Sequence, residues 1–217
     1  MDTKNKIKED EIIKKYMDYL LTNSKQPNSV YAFSKENDFD ESEFYNYFST
    51  FDLLEKQIYY KFCHQSIEML ENSEEYQQYD HKQKLLSFYY TFFEMLTANR
   101  SFVCMHLNDS KGRLKSLRRF SKMKECFLEY IESLSFETID FKEERINKLK
   151  DKTLNESAWI QLLLTMEFWL KDDSKGFENT DLYIEKSLKA SFDLLEVTPL
   201  RSVFDFAKFL YKQKVRA

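Results

Sequence analysis

Apolar positions recur at helical spacing along almost the whole chain. Ile13, Met17, Leu20 and Leu21 share one face of a first helix over residues 6–22. Residues 23–28, with Pro27, end it. The Ser29 hydroxyl is placed to cap a short second helix in which Val30 and Phe33 point inward. Asn37 and Asp38 break the pattern, and Asp40 with Glu43 three positions on predicts a third helix opened by a capping box. Phe44, Phe48 and Phe51 are spaced to pack back onto the first two helices. Leu53, Leu54, Ile58, Phe62, Ile67 and Leu70 then sustain one long helix over residues 50–72, a rigid connector rather than a linker.

Beyond a polar stretch at 71–84 the pattern predicts a strongly apolar helix over 85–97 and a short one over 101–107. A turn at 109–112, with Gly112 free to adopt a turn conformation, leads into a long helix over 113–134. Its apolar line is Leu114, Leu117, Phe127, Leu128 and Ile131. A short helix over 141–150 and a separate one from Asn155, with Trp159, Leu162, Leu163, Met166 and Trp169 on its apolar side, are expected next. Residues 172–176 break the chain, and Ile184, Leu188, Phe192 and Leu195 mark a helix over 180–195. Thr198 and Pro199 read as cap and first-turn proline of a last helix through Tyr211.

Composition agrees with this pattern. Two glycines and two prolines cannot supply the turns of a sheet protein, so the fold is expected to be all-α, with about nine or ten helices. The expected division is a three-helix head at residues 1–49 joined by the long helix to a larger helical domain at 50–217. The aromatic share of 17%, with twenty Phe and fourteen Tyr, is high; plain core accounts for most of these rings, and the total points to large ring-filled helix interfaces or a ring-lined cavity.

Charge and chemistry exclude several classes. A net charge of -4 is neither that of a general nucleic-acid binder nor that of an acidic tail protein. Cys63, Cys104 and Cys126 are odd in number and lack close paired spacing, so neither a disulfide framework nor a metal site is expected. The charged N-terminus has no signal-peptide core, and the most apolar run, 159–170, contains Gln161 and Glu167; a cytoplasmic protein is expected. Cys104 and His106, or Cys63 and His64, lie one or two positions apart and do not face each other on a helix, so no enzyme is expected and no cofactor is implied.

The stretch from Ser29 to Leu54 carries a resemblance. Ser29, Val30, Phe33, Ser34, Asp38, Phe39, then Phe44-Tyr45-Asn46-Tyr47-Phe48 and Thr50-Phe51-Asp52-Leu53-Leu54 follow without a gap the helix-turn-helix pattern of the TetR family of bacterial transcriptional regulators. The chain resembles that family in helix order and length as well. The resemblance implies a homodimer that places recognition helices, here 40–46, in successive major grooves of duplex DNA. Ser29, Lys35, Ser42, Tyr45 and Tyr47 are the candidate DNA contacts. It also implies a C-terminal domain that binds a small effector, for which the rings and thioethers of Phe88, Tyr89, Phe92, Phe93, Phe102, Met105, Phe127, Trp159 and Met166 suggest an apolar ligand. Its dimer interface would be formed by the helices at 155–170 and 180–195, through Leu162, Trp169, Ile184, Leu188, Phe192 and Leu195.

Two positions depart from the family pattern. Asp38 stands where the turn glycine is usual, and Phe51 where a lysine approaches phosphate. Between residues 28 and 50 a single lysine, Lys35, faces Glu36, Asp38, Asp40, Glu41 and Glu43, whereas DNA-reading surfaces gain affinity from cations. The most basic stretch lies elsewhere: Lys111, Arg113, Lys115, Arg118, Arg119, Lys122 and Lys124, with no acid among them. It is a candidate contact for an anionic membrane surface. Two functions stay open at this point: a ligand-responsive regulator, and a TetR-fold protein that has lost DNA binding and holds a lipid-like molecule or meets a membrane.

Overall fold

A computed structural model describes residues 6–108, 117–134 and 144–196. Among these the chain forms ten α-helices, one 3₁₀ turn and no strand, as the scarcity of glycine and proline requires. They are α1 (Glu9–Asn23), α2 (Val30–Glu36), α3 (Glu41–Tyr45), α4 (Phe51–Glu71), α5 (Glu74–Gln77), α6 (His81–Ala98), α7 (Arg100–Asn108), α8 (Ser121–Ser133), α9 (Glu144–Lys171) and α10 (Glu178–Glu196), with the 3₁₀ turn at Lys175–Phe177. Contacts divide the chain into two compact units, Met1–Asn72 with Thr91–Phe127, and Ser73–Tyr90 with Leu128–Ala217. No described helix is long and apolar enough to cross a membrane.

The first unit is built around aromatic rings. Phe33 of α2 is fully buried and meets Tyr16 edge-on at 6.0 Å, Phe44 at 6.4 Å and Phe51 at 5.7 Å. Phe51, at the start of α4, also stacks on Tyr16 at 5.2 Å. One ring from each of the first four helices thus meets its neighbours in the offset and edge-to-face geometries that ring quadrupoles favour. Phe44 and Phe51 pack back onto the first helices as expected, while Phe48 is buried against the Phe44 ring.

Local chemistry sets the helix ends in this unit. The Ser29 hydroxyl accepts from the Ala32 amide at 3.1 Å, and Thr50 caps α4 by accepting from Leu53 at 3.3 Å. At the end of α2, Asp38 adopts φ 59° while the Phe39 amide bonds the Ser34 carbonyl at 3.1 Å. That is the left-handed cap usually given to glycine, in a conformation aspartate tolerates. The capping box expected at Asp40 does not form: its carboxylate makes no cap bond. The Glu43 amide instead bonds the Asp40 carbonyl at 2.9 Å, because a five-residue helix closes its only turn with main-chain bonds.

In the second unit two expectations are corrected. Helix α6 starts at His81 rather than at Leu85, because Asp80 and Gln83 form a reciprocal capping box, with bonds of 3.0 and 2.8 Å. Helix α9 is continuous from Glu144 to Lys171 instead of two helices parted before Asn155. Nothing between 150 and 155 is glycine or proline, and the Asn155 amide donates to Glu132 at 2.6 Å instead of capping. The expected break at 172–176 is present and is held by Asp172. Its carboxylate accepts from Ser174 and from both the amide and hydroxyl of Thr180 at the start of α10. Burial raises the Asp172 pKa, but those hydrogen bonds outweigh it and hold the carboxyl down to about 2. Lys111, Arg113 and Lys115, the turn at Gly112, the side chain of Leu195 and the last helix expected over 198–211 lie outside the described residues.

If Phe33 is the centre of the first unit, Phe33→Ala lowers unfolding free energy by about 3–5 kcal/mol in urea titration. A loss below about 1 kcal/mol, the range of surface substitutions, would mean the rings do not depend on it.

Candidate functional site

Helix α4 buries Leu54, Ile58, Tyr59 and Phe62 almost completely, and on that same face it carries Glu55, only 4% exposed. A carboxylate there must find partners, because an unpaired buried charge is very costly. Four side chains supply them. Tyr16 of α1 donates to Oε1 at 2.7 Å, and Gln26, after α1, donates to the Tyr16 hydroxyl at 3.2 Å and to Oε1 at 3.4 Å. Nε2 of His106, on α7, stands 3.1 Å from Oε1, and Nε of Arg119 stands 3.0 Å from Oε2. Arg119 also donates to the His106 carbonyl at 2.8 Å.

His106 is oriented from its other side. Its ring stacks on Tyr59 at 5.7 Å with planes 8° apart, and Nδ1 lies 3.0 Å from the Tyr59 hydroxyl. Burial pushes the Tyr59 and Tyr16 phenols far above their ordinary pKa, and the Glu55 charge adds to this, so both remain protonated donors. His106 is thereby held between the Tyr59 hydroxyl at Nδ1 and the Glu55 carboxylate at Nε2. Burial alone would raise the Glu55 pKa; the hydrogen bond and charge of His106, then Tyr16 and Arg119, reverse this and leave it below the ordinary glutamate value. One carboxylate therefore fastens α1, α4, α7 and the segment at 117–119 together.

A polar cleft of about 600 Å³ opens beside this cluster, lined by Lys25, Asp52, Lys56 and Arg118 together with Glu55 and Arg119. A second cleft of about 610 Å³ runs between α1, α4 and the α6–α7 junction, with Ile13, Met17, Leu21, Ile58 and Phe62 on its apolar part.

The candidate residues of the sequence reading fall as follows. The Ser29 hydroxyl is taken up by the α2 cap. Lys35, Ser42, Tyr45 and Tyr47 are exposed. The Tyr45 hydroxyl donates to Glu41 at 3.1 Å, and that of Tyr47 to the Ile7 carbonyl at 3.3 Å, while 52% and 46% of these residues remain open to solvent. Phe88, Tyr89, Phe92, Phe93, Phe127, Trp159 and Met166 are buried and line neither cleft; Phe102 lines the apolar cleft and Met105 the polar one.

On α9 and α10, Leu162, Trp169, Ile184 and Leu188 are buried within the protomer, and Phe192 is half-buried under the Lys82 ammonium. The exposed apolar residues of these helices include instead Ile160, Leu164, Leu182 and Leu194, with the stacked pair Phe168 and Tyr183 at 4.5 Å. Glu55 is in none of the sequence-derived candidate sets, His106 was considered there only as a base beside Cys104, and Arg119 only as one cation of the basic stretch. A usable signal was present for the first: Glu55 falls four positions after Phe51 and three before Ile58, on a stripe that is otherwise apolar.

Three short helices, a long fourth helix and further helices narrow the family, and one match decides it. The family model described as the tetracyclin repressor-like C-terminal domain matches residues 84–210. The chain belongs to the TetR family. No curated protein matches it. The Glu55 cluster joins α1 and α4 to α7, which lies inside the matched region.

A lowered folded-state pKa means that the stability Glu55 contributes is complete above its unfolded value, about pH 4.3, and is lost as pH falls through the folded value. The unfolding free energy of wild type relative to Glu55→Gln should therefore shrink between pH 6 and pH 3 in urea titrations. At pH 7, Arg119→Met should cost about 2–3 kcal/mol, somewhat less than for a fully buried pair because Arg119 reaches solvent. A gap independent of pH would show that the carboxylate is not ionised in the fold.

Proposed function

We propose that this protein is a homodimeric, ligand-responsive transcriptional regulator, with a DNA-reading head at residues 1–49 and an effector and dimerisation domain at 50–217. The observation that carries the reading is the Glu55 cluster, which couples Tyr16 of the head to His106 of α7 through the connector α4. A displacement of α7 then has a direct mechanical route to α1. Phe102 and Met105, the members of the ring and thioether set that reach a cleft, sit on that same helix and support an effector acting there.

DNA contact in this reading falls to α3 and its flanks. Ser42, Tyr45 and Tyr47 offer hydrogen-bonding groups, Glu41 and Glu43 can accept from cytosine N4, and Lys6, Lys8, Lys14 and Lys15 offset the acids from the α1 side. With so few cations nearby, phosphate affinity is low and base contacts carry most of the selectivity. The purified protein should shift DNA from its own upstream region at about 50 mM salt, where weak phosphate contacts still register. Asp40→Asn, Glu41→Gln and Glu43→Gln together should raise non-sequence-specific affinity about tenfold. Failure of the wild type to bind any upstream fragment specifically would overturn the regulator reading.

The acidic head and the packing of Phe51 against rings favour a second reading, a TetR-fold protein that does not read DNA and holds a lipid-like molecule or meets an anionic membrane through the basic stretch. In that stretch Arg119 is bound to Glu55 and Lys122 donates to Gln57 at 2.8 Å, which leaves Arg118 as its most open described cation. Co-sedimentation with anionic vesicles that is lost in Arg118→Glu would favour this second reading.

The dimer is proposed to form through α9 and α10, with Ile160, Leu164 and Phe168 as one stripe at four-residue spacing and Leu182 beside it. Leu164→Glu would bury a charge in that interface and should convert the dimer to a folded monomer in size-exclusion light scattering. A variant that stays dimeric would move the interface elsewhere.

A further inference from the structure

We propose that the polar cleft beside Glu55 is a binding site for a small anion carrying carboxylate or phosphate groups, held by Lys25, Lys56 and Arg118. The three cations come from three separate pieces of chain: the loop after α1, the second turn of α4, and the segment that leads into α8. None of them forms an ion pair with another described residue. The two carboxylates at the cleft do not neutralise them. Glu55 is already engaged by Arg119, His106 and Tyr16, which leaves Asp52 alone against three ammonium or guanidinium groups. Leu20 and Met105 complete the wall, and low-dielectric surface of this kind concentrates the field of the cations into the opening.

The chemistry of the lining selects the ligand class. A guanidinium presents a planar fork of donors that matches a carboxylate or a phosphate in two parallel bonds, and lysine ammonium groups add point charges around it. A volume of about 600 Å³ accommodates a metabolite rather than a lone ion. An occupant bridging Lys25, Lys56 and Arg118 would touch the same three pieces of chain that Glu55 joins from beneath. Binding itself requires neither DNA recognition nor an apolar effector, so the inference stands apart from the regulator reading.

The test is thermal unfolding of the full-length protein in inorganic phosphate, in citrate, and in sodium chloride of equal ionic strength. Either polyanion should raise Tm by about 2–4 °C above the chloride control at concentrations well over its Kd. The combined variant Lys25→Ala, Lys56→Ala and Arg118→Ala should lose that increment. A response to phosphate alone assigns phosphorylated metabolites, and a response to citrate alone assigns carboxylates. If the combined variant fails to fold, Lys56→Glu alone, with titration calorimetry of the responding anion, makes the same comparison and should lose at least about tenfold in affinity, given one charge removed and one opposed. No increment over chloride in the wild type overturns the proposal. So does an equal increment in the variants, since polyanions stabilise proteins in general by exclusion from their surface.

Discussion

The constraint on which the first unit depends is a carboxylate placed where water cannot reach it. Glu55 faces the same way as Leu54, Ile58 and Tyr59, and moving a charge into such a place is unfavourable unless its oxygens are occupied. Tyr16, Gln26, His106 and Arg119 occupy them, and each sits on a different piece of chain. An apolar residue at 55 would satisfy the packing equally well. What it would not do is demand one particular arrangement of α1, α4 and α7. The cluster therefore specifies one arrangement of α1, α4 and α7.

The head separates geometry from electrostatics. Its shape rests on Phe33, Phe44, Phe51 and Tyr16, whose ring contacts are indifferent to the charge of the outer surface. The left-handed turn at Asp38 keeps the angle between α2 and α3 without a glycine. Placing Phe51 in that ring cluster ties α4 to the head, and the same position can then no longer present a cation to phosphate. The three short helices are held by rings while the surface around α3 is acidic. Lys25, Lys56 and Arg118 line the cleft beside Glu55 instead.

Helix identity was legible from spacing because a helix that buries one face must repeat its apolar residues at about 3.6 positions. The cap was legible at Ser29, where a hydroxyl has room to reach a free amide, and not at Asp40, where the Glu43 amide bonds the main-chain carbonyl instead. The division of α9 at Asn155 was misread for a related reason. Asparagine favours a cap in isolation, but Glu132 offers this one a partner on a neighbouring helix. Periodicity identified α9 and α10 as apolar, yet not which of their apolar residues the protomer keeps for itself. Leu162, Trp169, Ile184 and Leu188 are enclosed, whereas Ile160, Leu164 and Leu182 are left on the surface.

The sequence by itself determined the all-helical class, the break held by Asp172, the three-helix head with its resemblance to the TetR family, and the acid excess around α3. These are properties of neighbouring residues, set by backbone propensity, spacing and summed charge. Only the tertiary structure decided that Glu55, Tyr16, His106 and Arg119 form one cluster, because Tyr16 and Glu55 are 39 positions apart and their pairing follows from how helices pack. It decided equally that Lys25, Lys56 and Arg118 share a cleft. No local pattern records the convergence of charges from separate helices, since a long-range contact leaves no periodic trace in either of the segments that make it.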